Sequence, residues 1–498
     1  MKKIDTLEMA RYDLQTKLDA GKSSLERNIL GQFHTPWDLA CILAKYAKEN
    51  IKRKDIKFLD PAFGTGTFYS ALIKNNANVS NAQAYEIDPY YAKPTQELWG
   101  NCNVNITIGD FLLEKPKPEF DLLICNPPYV RHHHINQDLK FNYKRLSEEN
   151  SGIKVSGLSG LYCHFVMRSD AWLRENGLAI WLIPSEFLDV NYGSAVKQFL
   201  LDNVDTIRIH KFDPENVQFS DALVTSSVVV FRKKSENQAS TIEFTYGDFE
   251  KPSFTKKVSA NSLSCKDKWA KYFKKEQIIQ SGQVFGDLFK IRRGIATGAN
   301  DFFILGEDVV KNNKIPAEFL KPILPSPRNL KTNIINSDSS GVPSNVARNF
   351  LISTVSTIEE IRSKSIWLAN YLESGSETIA NGFLCKGRTP WYAQESRQPS
   401  IFLSSYMGRC RKDGDSPIRF FWNRSKAIGT NSFLMIYPTA SAFEIFGESE
   451  FSQEKMFKCI QAVTNTSIFD QTRSYGGGLF KLEPKELQKV RIDLNKVA

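Results

Sequence analysis

Asn126-Pro127-Pro128-Tyr129 follows directly on the apolar run Asp121–Cys125. A proline pair ordinarily just stops a strand, since Pro has no N–H to donate and a fixed φ. The four residue types also suit a chemical task. The exocyclic amine of a nucleobase is a poor nucleophile, because its lone pair is delocalised into the ring. Two acceptors aimed at its N–H bonds favour a tetrahedral nitrogen and free that lone pair. Asn126 offers a side-chain carbonyl, and Pro127 a backbone carbonyl on a segment that Pro128 stiffens. Tyr129 offers a face for a planar base taken out of its stack. Neither a general-base His nor a metal is required where the leaving group is already activated and the protein mainly positions reactants.

Three further stretches place polar groups at strand ends. In "FLDPAFGTGTF", Phe58–Phe68, an apolar run ends at Asp60, and Pro61, Ala62, Gly64 and Gly66 lead through a turn into a helix. Glycines there let backbone approach a ligand beside a helix N-terminus. "AYEIDP" ends in Glu86, whose carboxylate can accept from both ribose hydroxyls of an adenosyl group. "ITIGDFL" supplies Asp110 for an adenine amino group and Phe111 for stacking on the ring. Each acid alone also reads as a solvated loop residue, and each glycine as a tight corner. Together they describe a pocket for an adenosine without pyrophosphate, because no Lys-Ser/Thr pair follows the glycines to hold phosphate and magnesium. S-adenosylmethionine fits that pocket better than a dinucleotide.

The elements that must carry these groups alternate. "IKFLDPAF", "NAQAYEIDP" and "FDLLICNPPY" read as strands and "GTFYSALIKN" as a helix, which implies a mainly parallel sheet with helices on both faces. "LYCHFVMRSDAWLRENG" has helical spacing up to a terminating Gly177, followed by the strand "LAIWLIPS". "IRIHKF" and "ALVTSSVVVFRKK" are further β-rich runs. Past Lys234 the alternation is lost, which divides the chain into an α/β catalytic domain, residues 1–245, and a second, α+β domain, residues 246–498.

A chain of 498 residues, 41% hydrophobic and 24% charged, is soluble globular protein of more than one domain. Lys and Arg number 65 against 55 Asp and Glu, a net charge of +10 that suits a polyanion and equally suits a merely soluble basic protein. Eight cysteines without a C-x-x-C pair imply reduced thiols. The N-terminus lacks an apolar signal region, and no run reaches membrane-spanning length, so a cytoplasmic protein is expected. "RHHH", Arg131–His134, reads as a flexible loop, since three consecutive side chains diverge and no Cys/His cluster accompanies them. No metal is expected.

"NPPY" preceded in order by "DPAFGTGTF", "YEIDP" and "GDF" resembles the gamma-class N6-adenine DNA methyltransferases of restriction-modification systems. The resemblance covers most of the chain. It implies a Rossmann-like S-adenosylmethionine-dependent domain followed by a DNA target-recognition domain, acting as a monomer on double-stranded DNA beside a separate cognate endonuclease. "GQFHTP", Gly31–Pro36, looks like the element this family places ahead of the glycine turn, so Thr35 and Pro36 would line the methionine end of the cofactor. Read locally, Thr35-Pro36 is equally a helix N-cap with Pro at the first helical position. The resemblance puts Phe165, in "GLYCHF", on the cofactor adenine, and Phe219 across the flipped base from Tyr129. It also makes "KIRRGIATGANDFFIL", Lys290–Leu305, the opening of the recognition domain, with Arg292 and Arg293 on DNA.

Further on, Lys386, Arg388, Arg409, Arg411 and Arg424 interleave with aromatics such as Trp391, a composition suited to phosphate contact and base-edge reading or to a solvated basic face. Competing readings are an N4-cytosine enzyme, disfavoured because that branch more often begins the tetrad with Ser, and a methyltransferase of another amide or amine, such as RNA or a release-factor glutamine. A fused restriction-methylation enzyme needs a nuclease domain, and only about thirty residues precede Gly31.

Overall fold

The computed structural model describes residues 2–213, 225–234, 241–273, 282–409, 416–463, 468, 472–475, 479–492 and 494. The alternation read from the sequence becomes a nine-stranded mixed sheet in the order β3-β2-β1-β4-β5-β7-β6-β8-β9. Its parallel half is β1 (Ile56–Asp60), β2 (Val79–Glu86), β3 (Val104–Ile108), β4 (Phe120–Cys125) and β5 (Leu173–Pro184). The strand β7 (Ser226–Lys233) inserts antiparallel between β5 and β6 (Val204–Lys211). A hairpin, β8 (Thr241–Gly247) and β9 (Pro252–Ser259), completes the edge.

The central strands are buried on both faces, which is why they lack polar alternation. Alternate residues enter opposite cores: Phe58, Leu122, Ile124 and Ile180 one, Leu59, Leu123, Cys125 and Trp181 the other. Fully burying each such side chain contributes about 1.5–3 kcal/mol. The first core is capped by α3 (Trp37–Asn50), whose Leu39, Ala40, Leu43, Ala44 and Ala47 recur at helical spacing, and by α4 (Thr67–Lys74). An N-terminal α1 (Lys2–Ala20), α2 (Ser24–Leu30) and α5 (Pro89–Trp99) precede or flank these. On the other face lie α6 (Gln137–Ser151), α7 (Leu161–Arg168) and α8 (Ser194–Asp202).

Two local expectations give way. The helix expected to run to Gly177 stops at Arg168, and a 3-10 turn, Ser169–Trp172, delivers Trp172 to a pocket among Tyr85, Phe111 and Phe120. Gly177 lies within β5, where a Cβ would meet Phe120 O at 2.9 Å. Burial of one indole outweighs helical spacing. The N-cap of α3 is Pro36 rather than Thr35, whose side chain is used elsewhere.

Two units make up the chain, Met1–Glu276 with Tyr475–Gly477, and Gln277–Ser474 with Gly478–Ala498. The hairpin β8–β9 is the stretch where the αβ alternation stops; it still belongs to the first sheet, so the division falls later than residue 245. The second unit is built on a five-stranded sheet in the order Phe289–Arg293, Phe433–Pro438, Phe402–Ser405, Phe420–Asn423, Ile334–Ile335. Its core is rich in Phe and Ile, with short helices outside it. No described helix is long and apolar enough to cross a membrane.

Candidate active site

The sheet order reverses between β1 and β4, with β2 on one side and β5 on the other. At such a switch point the loops leaving the carboxyl ends diverge and open a crevice. A cleft of about 850 Å³, counting the space at its mouth, lies there, with Pro61, Ala62, Gly64, Glu86, Asp110, Phe111, Asn126, Pro128 and Phe165 among its walls.

The glycine turn is built asymmetrically. Gly64 has φ +54° and nothing within 4 Å of the place a Cβ would occupy, so its backbone faces open cleft. Gly66, φ +87°, is turned the other way: a Cβ would sit 2.7 Å from the Phe63 ring and 2.8 Å from Trp99 Nε1. Its lack of a side chain serves packing. Asp60, 1% exposed, accepts from Ala62 N at 3.2 Å, and burial pushes its carboxyl up to about 8.

Glu86 is held at both oxygens. Oε2 accepts from Gly64 N and Oε1 from Asp88 N, each at 2.9 Å. Burial raises its pKa, and these two N–H groups oppose that rise. The carboxylate is therefore fixed in one orientation with lone pairs still facing the cleft. Asp110 caps the following turn by accepting from Leu112 N at 2.9 Å, and its other oxygen accepts from Tyr143 Oη. Phe111 and Phe165 stack, centroids 5.6 Å apart and planes 20° apart, at the adenine end expected for the cofactor.

Asn126 leaves β4 at the floor of the cleft. Its Nδ2 donates to Phe33 O at 2.9 Å and Thr35 Oγ1 at 3.2 Å, so the amide cannot turn over without losing both. Its Oδ1 is buried and has no hydrogen-bond partner among the described residues. A buried acceptor left open costs about 1–3 kcal/mol, which a ligand donor would relieve. Pro127 is buried in the same segment. Tyr129 N donates to Gly31 O at 3.1 Å, and its hydroxyl donates to Leu182 O at 3.1 Å. The Tyr129 ring lies 5.8 Å from Phe33, tilted 47°. Thr35 thus reaches the cleft through Asn126, and Pro36 starts α3 behind it. Phe219 lies outside the described residues.

Sequence reasoning missed the contribution of α1. Arg11, only 3% exposed, donates to Thr65 Oγ1 and Thr67 Oγ1 at 3.0 Å and forms a bidentate pair with Glu8. Thr65 Oγ1 donates to Gln15 Oε1 at 2.6 Å, and Gln15 and Asp19 line the cleft. The available signal was a long helix without a marked apolar face, which must find polar partners or stay solvated.

In the second unit, the basic residues expected on DNA divide. Arg292 and Arg293 are exposed at the end of the strand Phe289–Arg293, and Arg293 lies 4.0 Å over the Tyr406 ring. Lys386 and Arg409 are exposed, and Arg411 lies outside the described residues. Arg424 pairs with Glu450 and lies 5.3 Å over Trp422. Arg388 is turned inward, donating to Ala296 O at 2.9 Å and Thr297 O at 2.7 Å. Trp391 packs 5.9 Å from Phe302 and 6.0 Å from Phe303. Arg388→Ala is therefore expected to lower unfolding stability by about 1.5–3 kcal/mol, read by denaturant titration, with the salt dependence of DNA binding unchanged.

The strand order with β7 inverted, and the cleft at its switch point lined by Glu86, Asp110 and two stacked Phe rings, are those of an S-adenosylmethionine-dependent methyltransferase fold. The Eco57I restriction-modification methylase family matches residues 6–218, and the C-terminal domain of Type II methyltransferase M.Eco57I matches 266–498. Type II methyltransferase M.AccI of Acinetobacter calcoaceticus is 30% identical over 494 residues, covering 95% of this chain and 87% of the relative. M.XamI of Xanthomonas campestris pv. amaranthicola is 25% identical, covering 88% and 80%. In fold, the chain is similar to the Type IIL restriction-modification enzyme MmeI, solved with DNA, with a TM-score of 0.57 over 97% of this chain and 67% of that one at 12% identity. The chain belongs to the Eco57I-type restriction-modification methyltransferases, and its activity is Type II methylation of DNA with S-adenosylmethionine as donor.

Proposed function

We propose that the protein methylates the N6 amino group of an adenine turned out of duplex DNA at a specific site, and so protects cytoplasmic DNA from a separate cognate endonuclease. The observation that carries this reading is the open, buried Oδ1 of Asn126, on an amide locked by Phe33 O and Thr35. One N–H of the amine donates to that oxygen and the other to the Pro127 carbonyl. Asn126 does not titrate, so it orients the amine and frees its lone pair rather than taking its proton. Tyr129, anchored through its hydroxyl to Leu182 O, supports the base face, with Phe219 assigned the opposite side. When bound, the donor would supply a methyl group from an activated sulfonium that departs as a neutral thioether, and the proton lost by the methylated nitrogen would pass to solvent.

In this reading Glu86 takes the ribose hydroxyls, Asp110 the adenine amino group and Phe111 with Phe165 the ring. Gly64, Pro61 and Ala62 pass backbone along the donor, and Asp60, Thr35, Pro36 and Gly66 support that wall. The first unit forms the catalytic domain and the second the target-recognition domain, with the exposed Arg292, Lys386 and Arg409 available to phosphates and Arg293 beside them held against Tyr406 and Asn431 O. The protein acts as a monomer.

The test is to incubate the purified protein with unmethylated DNA and isotope-labelled S-adenosylmethionine, digest to nucleosides and identify the product by mass spectrometry. Label in N6-methyladenine is expected. Label in N4-methylcytosine would overturn the choice of base. No label in DNA, with donor binding intact, would move the acceptor to RNA or protein.

A further inference from the structure

We propose that Phe383 is a wedge that enters the DNA duplex and kinks it. Phe383 is 87% exposed, the most exposed large apolar side chain among the described residues, and Leu384 beside it is 41% exposed. The two sit at the tip of a tight turn: Cys385 N and Lys386 N both donate to Gly382 O at 3.0 Å, and Arg388 N donates to Cys385 O at 3.0 Å.

The base of this turn is anchored. Cys385, 1% exposed, points its Sγ at Thr297 O, and the Arg388 guanidinium grips Ala296 O and Thr297 O. The turn rests on Gly298, φ +93°, where a Cβ would lie 3.0 Å from Cys385 Sγ and 3.3 Å from Leu384 Cβ. A phenyl ring on a limp loop folds back onto the protein. Here the anchored base holds it out in water, at the cost of apolar exposure.

The surroundings select the occupant. Lys386 is exposed three residues away, and residues 277–498 contain 28 Lys and Arg against 21 Asp and Glu, so this unit holds most of the chain's net positive charge. An apolar side chain beside a cation on a basic unit matches the way proteins pry a base step while neighbouring cations hold phosphate. A protein partner of acidic character would meet the same charge but gives no reason for a rigid, lone ring. Trp391, the aromatic marked by the sequence, is packed against Phe302 and Phe303, which leaves Phe383 as the ring of this stretch presented to solvent. The inference rests on duplex DNA as substrate and not on adenine as the target.

The test uses the full-length protein and a duplex containing its own methylation site, dye-labelled at both ends so that energy transfer reports bending. Wild type is expected to shorten the end-to-end distance, and Phe383→Ala to abolish the bend and weaken binding about tenfold, the scale of one lost base–aromatic stack. Phe383→Trp should restore both. Lys386→Ala should weaken binding, keep the bend and reduce the salt slope by about one. A wild-type protein that leaves the duplex straight would overturn the proposal. So would a Phe383→Ala variant that bends DNA normally, whether or not its affinity falls. The bend is read without any methyl transfer, so an error in the assigned base leaves this result unaffected.

Discussion

Replacing Asn126 by alanine is expected to lower the turnover number on the order of a hundred- to a thousandfold, with donor affinity little changed. The scale is that of removing one preorganised hydrogen-bonding group aimed at the reacting centre. The alanine loses Oδ1, the open acceptor in the cleft, and frees Phe33 O and Thr35 Oγ1 from their donor. Those two lost contacts are local, so the unfolding midpoint should shift only modestly. Single-turnover methylation measured beside equilibrium binding of the donor separates the two effects. An alanine variant with the wild-type rate would sink the assignment of the amine to this oxygen.

Gly31→Ala should do comparable damage from outside the motif it supports. Gly31 has φ +64°, and its Cβ would lie 2.3 Å from Tyr129 N, 2.7 Å from Tyr129 C and 2.8 Å from Val130 N. All three are backbone atoms, which cannot rotate away as a side chain can. The chain after Asn126 must shift, and the bond from Tyr129 N to Gly31 O goes with it. Overpacking of this kind costs about 1–3 kcal/mol, and displacing reacting groups by about 1 Å costs roughly a hundredfold in rate. Denaturant unfolding and turnover should therefore fall together. Normal values for both would mean that the segment from Gly31 and the one from Asn126 move independently.

The strand ends were legible because each combines a local signal with a topological one. Asp60 and Asn126 follow mainly apolar runs, Glu86 and Asp110 follow runs in which polar and apolar residues mix, and parallel strands deliver such ends to one edge of a sheet. Phe111 was readable for the same reason, whereas Phe165, on α7, came only with the family resemblance. Direction was not readable. Gly64 and Gly66 stand two residues apart and face opposite ways, one into the cleft and one onto Phe63 and Trp99. Nor could spacing show that α1 reaches the glycine turn through Arg11 and Gln15, because those bonds join residues about fifty apart in the chain.

Charge was the weakest guide. Arg388 and Trp391 stand in a basic, aromatic run, and both turn inward, because the carbonyls of Ala296 and Thr297 and the rings of Phe302 and Phe303 are nearer partners than solvent. Phe383 drew no attention in the sequence, being apolar and close to a cysteine and glycines. Only its exposure sets it apart.

With the second unit reading the target as proposed, the grip of Arg388 on residues 296–297 bears on how new specificities would arise in this chain. A turn exchanged as residues 382–388 alone would arrive at a seat shaped for another guest: the carbonyls need their guanidinium, and Gly298 admits only a closely fitting neighbour. The heritable module is thus two stretches some ninety residues apart, travelling as a pair. Recombination that separates them should yield enzymes that keep their methyl-transfer chemistry and lose their address.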